Sequence, residues 1–253
     1  MTTPVSPATA AERLLAVLAA FDRSAPALSL TEISRRAGLT LPTAHRLVGL
    51  LTAWGALERD AAGAYHIGLR LWELGALSPR GLALREAAMP FLEDLYEATH
   101  ENVQLAVRDG MEVVYIERIS GRSAVGVLAR VGAHWPLHAT GVGLVLLAHS
   151  DPAVQEEYLA AGQLASFTPY TVTDPAKLRR LLAEVRHCGF AMSDRQITDD
   201  ALSVAAPVRG PRGEVVAAVS VIVPCVSARP NALAPAVRLA GLGISRALGW
   251  TSA

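Results

Sequence analysis

The sequence predicts an α+β chain in two parts, a small helical domain and a larger one built on an antiparallel sheet. Three features predict it. Residues 10–54 carry apolar side chains at helical spacing, punctuated by glycine and threonine. Beyond residue 100 the period falls toward two around Asp109-Gly110, the strongest short hairpin signal in the chain. Strands joined by short turns, with the helices in separate blocks, belong to an antiparallel α+β fold rather than to alternating βαβ units.

In order, Leu14, Leu15, Val17, Leu18 and Phe21 recur at helical spacing and predict a helix over 10–21. Ile33 and Ala37 lie four apart with Arg35 and Arg36 between them, and Gly38 ends this second helix over 31–37. Thr40 offers a hydroxyl at the next helix start, and Pro42 suits a first turn, where a missing N–H costs nothing. In that third helix Leu47, Val48, Leu50 and Leu51 form the inward face, leaving Thr43, Ala44, His45 and Arg46 outward. Residues 55–59 and 64–67 then read as two strands around a turn at 60–63. Many all-α domains contain two helices joined by a glycine turn. The hairpin directly after them points to a winged helix-turn-helix, whose second helix enters a major groove.

Residues 69–77 predict a connecting helix, with a hinge at 78–81. A further helix over 84–99 turns Phe91, Leu92, Leu95 and Tyr96 inward, with Pro90 a bend or a start point. Strands are expected at 102–108, 112–119, 124–130, 203–208 and 215–223, and helices at 144–149, 151–161, 175–187 and 232–248. Residues 133–143 read as an irregular loop opening into the apolar helix at 144. The expected division is 1–68, a DNA-binding domain; 69–81, linker helix and hinge; and 82–253, the larger domain.

Composition narrows the function. The chain has 253 residues with 23 basic and 23 acidic side chains, so no net charge advertises nucleic acid, and a non-specific salt-driven binder is disfavoured. Lys177 is the only lysine, so arginine supplies nearly every cationic contact. Cys188 and Cys225 are too few for a disulfide framework and lack metal-ligand spacing. The N-terminal residues carry no signal-peptide pattern, and the apolar run at 215–223 is too short to cross a bilayer, so a cytoplasmic protein is expected.

Chemistry concentrates in His138-Ala139-Thr140-Gly141-Val142-Gly143, where glycines allow close approach and the following helix turns its positive end to whatever sits there. That suits a carboxylate, although the same glycines serve a tight helix start. Ser193-Asp194, Ser203 and Ser220 could supply the polar groups of an apolar pocket, or simply be satisfied hydroxyls of turn and core. His134 and His138 have metal-like spacing, but Trp135-Pro136 breaks any helix between them. No metal, cofactor or catalytic constellation is expected. The alternatives are a ligand-binding enzyme with a vestigial winged helix and a protein-interaction scaffold.

Several motifs in order resemble the IclR family of bacterial transcriptional regulators over about residues 10–247. They are Gly38-Leu39-Thr40-Leu41-Pro42-Thr43-Ala44-His45-Arg46-Leu47, Tyr65-His66-Ile67-Gly68 and Val113-Val114-Tyr115-Ile116-Glu117-Arg118. Next come Pro136-Leu137 with the glycine motif, Gly189-Phe190-Ala191, Ala205-Ala206-Pro207-Val208 and Ala217-Ala218-Val219-Ser220-Val221. The resemblance implies a GAF-like, effector-binding C-terminal domain and homodimers or homotetramers, with an operator in double-stranded DNA and a small-molecule effector as partners. It places Thr43, His45 and Arg46 against DNA, with Arg35 or Arg36 and wing residue Arg59 on the backbone. The pocket positions it implies are Ala124, Gly141, Val142, Gly143, Ser193, Ala201, Ser203, Ser220 and Ile222, with Asp194 as a neighbour. Leu41, Leu144 and Arg195-Gln196 depart from residues common in relatives. The expectation is a regulator, a repressor rather than an activator, responding to a small organic acid, aromatic acids among them, held on the N–H groups of Gly141 to Gly143.

Overall fold

The computed structural model describes residues 9–22, 24–78, 81–121, 126, 129–160, 164–226 and 229–251. Two compact units divide the chain at residue 78.

In the first unit, α1 (Ala10–Ala19), β1 (Ala27–Leu28), α2 (Leu30–Arg36) and α3 (Leu41–Trp54) surround a core that includes Val17, Leu28, Ile33, Leu47, Val48 and Leu51. Both α1 and α2 start on capping boxes. Thr9 and Ser29 each accept the N–H three residues on, from Glu12 and Glu32, whose carboxylates return to the cap N–H. Gly38 turns the chain at φ +66°, a conformation that side chains disfavour, and Leu39 N–H closes the turn on the Ser34 carbonyl at 3.0 Å. A wing follows, with β2 (Leu57–Arg59) and β3 (Tyr65–Ile67) antiparallel and β1 added on the far edge of β3. The two-residue β1 is too short to show a period in the sequence. Next, α4 (Leu69–Ala76) packs Leu71 against the same core.

Two expectations for α3 are corrected. Ala44 is fully buried rather than outward, and Leu50 is 52% exposed rather than inward. The inward stripe runs Ala44, Leu47, Val48 and Leu51, which is the i, i+3, i+4, i+7 pattern of one helix face.

The second unit begins with α5 (Leu82–Thr99), β4 (Asn102–Asp109) and β5 (Glu112–Ile119). It continues with β6 (His134–Pro136), α6 (Gly141–Ala148), α7 (Pro152–Ala160), α8 (Pro175–Cys188), β7 (Ala191–Asp194), β8 (Ala201–Arg209), β9 (Val215–Pro224) and α9 (Pro230–Ala247). One antiparallel sheet of order β6-β5-β4-β9-β8-β7 separates two layers of helices. Alternation along the strands sorts the side chains. Val103, Leu105, Val204, Val219 and Val221 face α5 and α9, whereas Ala106, Ala205 and Ala218 face α6, α7 and α8. The small residues on that second face leave room between sheet and helix.

Three details differ from expectation. Residues 134–136 form strand β6 instead of loop, by pairing with β5 at Glu112 to Val114. Helix α6 starts at Gly141, three residues early, because Thr140 caps it by accepting Gly143 N–H at 3.0 Å. Of the strand expected over 124–130, residues 124, 125, 127 and 128 lie outside the described residues, as do hinge residues 79–80; residues 126, 129 and 130 are not in a strand.

Candidate functional site

In the first unit the outer side of α3 near its N-terminus presents His45 and Arg46, both exposed. Neither makes a side-chain hydrogen bond or ion pair among the described residues, and Arg35 is likewise unengaged. Thr43 is half-buried and shares a hydrogen bond with Thr40 at 2.9 Å. Thr40 therefore occupies the cap position without capping through its hydroxyl. Arg59 donates to the Gly63 carbonyl at 3.1 Å and lies over the Tyr65 ring, which holds the wing turn and leaves other guanidinium N–H groups outward. Arg36 differs. It donates to Ala20 O at 3.0 Å and pairs with Asp22 at 2.8 Å, so it ties α2 to the end of α1. The Asp22 carboxyl is held down at about 2, chiefly by its bond from Ser24 and then by Arg36. Of the two backbone candidates, Arg35 is thus the one available to a phosphate.

The second unit holds a cavity between the small-residue face of the sheet and α6, with about 510 Å³ of unfilled space including its mouth. Gly141, Ser193, Ala201, Ser203 and Ile222 line it, as the resemblance implies. A Cβ on Gly141 would stand 2.6 Å from Ser203 Oγ, so only glycine lets the start of α6 come this close to β8. Ser193 donates its hydroxyl to Ala139 O at 2.8 Å and anchors the loop before α6 to β7.

Other expected positions do not line the cavity. Val142 is packed in the core beneath α6. Gly143 gives its N–H to Thr140 Oγ1 and so does not offer it to a ligand, contrary to expectation, whereas the N–H groups of Gly141 and Val142 have no partner among the described residues. Asp194 is paired with Arg195 at 2.9 Å, and that guanidinium also stacks 4.0 Å from the Tyr170 ring. Ser220 is buried behind the lining, opposite Gln104. Ala124 lies outside the described residues.

The sequence reading missed Gln104, Trp135, Gln196, Ile197 and Thr198, all of which line the cavity. A signal existed for Gln104: it interrupts the apolar alternation of Val103, Leu105 and Val107 on the opposite phase. The amide of Gln104 is buried with neither atom hydrogen-bonded, and Ser220 Oγ and Thr198 Oγ1 are buried without partners too. Leaving such a group unpaired costs about 1–3 kcal/mol. Tyr115 also lines the wall, and burial pushes its phenol pKa up, against a smaller opposing effect of its bond with Thr140, so it stays a neutral hydroxyl.

Buried histidines support this face from outside the cavity. His138 Nδ1 lies 2.8 Å from Tyr158 Oη, and Nε2 lies 2.9 Å from the Ala165 carbonyl. Since a carbonyl only accepts, Nε2 carries the proton and Tyr158 donates to Nδ1.

Comparison with known proteins decides the lineage. Residues 10–61 match the IclR helix-turn-helix domain, and residues 78–246 match the bacterial transcriptional regulator IclR C-terminal domain. The chain belongs to the IclR family.

Among IclR proteins, it is similar to the HTH-type transcriptional regulator XynR of Escherichia coli K12, at 33% identity over 94% of this chain and 96% of that protein. The HTH-type transcriptional repressor AllR of Klebsiella pneumoniae is 31% identical over 96% of this chain and 90% of AllR. An IclR homologue from Microbacterium hydrocarbonoxydans, solved in complex with 4-hydroxybenzoate, superposes with TM-score 0.90 at 39% identity, covering 95% of this chain and 99% of that one. The protein is therefore a DNA-binding transcriptional regulator of the IclR type, not the enzyme kept as the alternative reading. No helix among the described residues is long and apolar enough to cross a membrane.

Proposed function

We propose that this chain is a repressor whose hold on its operator is set by a small aromatic carboxylic acid bound in the cavity of the second unit. The lining carries the reading. Trp135, Ile197, Ala201 and Ile222 offer apolar walls, and the unpaired N–H groups of Gly141 and Val142 open the positive end of α6 beside them. A carboxylate suits those donors, and a flat ring suits those walls. The 4-hydroxybenzoate held by the Microbacterium homologue and the repressor naming of AllR support the ligand class and the sign of control.

On the DNA side, Thr43, His45 and Arg46 read base edges from α3, while Arg35 and Arg59 hold phosphates. Two copies joined through their first units would present two such helices to paired half-sites. Exposed apolar side chains support that assembly: Leu15, Leu50, Trp54 and Trp72 are 61%, 52%, 44% and 63% exposed on α1, α3 and α4. The acid acts by binding one arrangement of the recognition helices better than the other.

Footprinting on the DNA upstream of the chain's own gene, with and without added aromatic acids, tests the reading. Protection that an acid releases is the expected result. Calorimetry with each acid and its amide tests the cradle, and equal binding of the two would count against it.

A further inference from the structure

We propose that Leu41 is a specificity-determining residue of α3 and packs against the C5-methyl group of one thymine in each operator half-site; this deepens the reading in which α3 meets base edges and rests on it. Leu41 is the first residue of α3, is 48% exposed, and takes no part in the core that holds the helix. A single exposed leucine needs no explanation by itself. Its place on the helix does need one. The first unit has an apolar groove lined by Leu14, Leu18, Leu50, Trp54 and Leu71, which suits the joining of two copies. Leu50 lies nine residues beyond Leu41, about two and a half helical turns, and so stands on the opposite side of α3. Leu41 is therefore separate from that groove. It shares its side of the helix with exposed His45, four residues on, and Pro42 fills the first turn beside it without losing a hydrogen bond.

The N-terminal residues of a recognition helix are the ones that reach base edges. In the major groove guanine, adenine and cytosine present hydrogen-bonding groups and no alkyl group, whereas thymine adds a methyl at C5. Leucine set against guanine O6 and N7 or cytosine N4 would strip water from a polar group and return nothing. Set against the thymine methyl, it removes apolar surface from water on both partners. His45 and Arg46 bring polar groups to neighbouring bases, and Leu41 adds a contact of a different kind. A methyl contact displaces no counterion, so its share of the affinity holds as salt rises, unlike that of a phosphate contact.

Selection of duplexes from a random-sequence pool by the full chain, followed by fluorescence anisotropy on the selected duplex, tests the contact. Uracil lacks only the C5-methyl of thymine, so replacing thymines by uracil one position at a time removes that group and nothing else. The expected result is one position in each half-site where uracil weakens binding about fourfold, the burial of one methyl group, by the same factor at low and high salt. At that position 5-methylcytosine binds more tightly than cytosine by a similar factor. In Leu41→Ser both factors fall to near one and selection no longer fixes thymine there, while Leu41→Met keeps them. Should Leu41→Ser fail to fold, the same measurement on Leu41→Asn decides. A wild type with no uracil-sensitive position overturns the methyl contact, as does a sensitivity that survives the polar variants, and both leave α3 as the recognition helix. Failure of the chain to select any sequence overturns the reading of α3 as a reader of base edges, and this inference with it.

Discussion

Arg36 and Arg46 carry the same charge, but their surroundings give them different work. Arg36 spends its guanidinium on Ala20 and Asp22, whereas Arg46 stands on the open face of α3 with no partner among the described residues. Arg46→Ala is expected to remove discrimination between operator and unrelated DNA, at a cost of about 1–3 kcal/mol for a lost base-edge contact. Arg59→Ala, a backbone contact, is expected to weaken binding alike on all sequences and to flatten the salt dependence. Fluorescence anisotropy on operator and scrambled duplexes across a salt series checks both. At Gly141 the constraint is steric. The added Cβ of Gly141→Ala meets Ser203 Oγ at 2.6 Å and Ser203 Cβ at 3.2 Å, so α6 must back away from β8. Overpacking of this kind costs about 1–3 kcal/mol. Thermal unfolding is expected to register it, together with loss of acid binding while the ligand-free protein still protects its operator.

Helix α6 shows how one element depends on both of its flanks. His138 precedes it and His149 follows it, and burial lowers the pKa of each; for His149 the value falls to about 4, with Arg209 and Arg186 adding to the effect. Both rings are therefore neutral in the fold, while the unfolded chain takes up protons near pH 6.5. Above that pH the histidines contribute no penalty. As pH falls below it, the unfolded state binds the extra protons and stability declines, until His149 itself titrates near pH 4. Urea midpoints measured between pH 7.5 and 5 are expected to fall, and His149→Gln is expected to flatten part of that slope. An unchanged midpoint across this range would show that neither ring is buried neutral. The same element marks a limit of local reading. Gly141-Val142-Gly143 looks like loop by propensity, yet it is the first turn of α6, because the Thr140 cap and the close contact with β8 outweigh the entropy of two glycines.

For the whole molecule, the exposed apolar side chains of the first unit carry the expectation of self-association. Trp72→Glu is expected to shift the protein toward monomer in sedimentation velocity and to weaken operator binding in step, since one recognition helix reads only one half-site. The effects of acid and operator must also be reciprocal: if the acid lowers affinity for DNA by some factor, bound DNA lowers affinity for the acid by the same factor. Calorimetry with and without operator duplex measures this. The order of helices, the glycine turn before α3, the wing and the antiparallel character of the larger domain were all legible in the residues, because periodicity, caps and turn chemistry act over a few positions. The sharing of surfaces was not. Whether Leu50 or Ala44 faces inward, why Arg36 is spent on Asp22, and how Gln104 and Ser203 come to line one space depend on strand register and helix packing between distant segments. Local chemistry specifies which elements form. The burial of a polar side chain, and hence its need for a ligand, exists only once residues a hundred positions apart have closed over it.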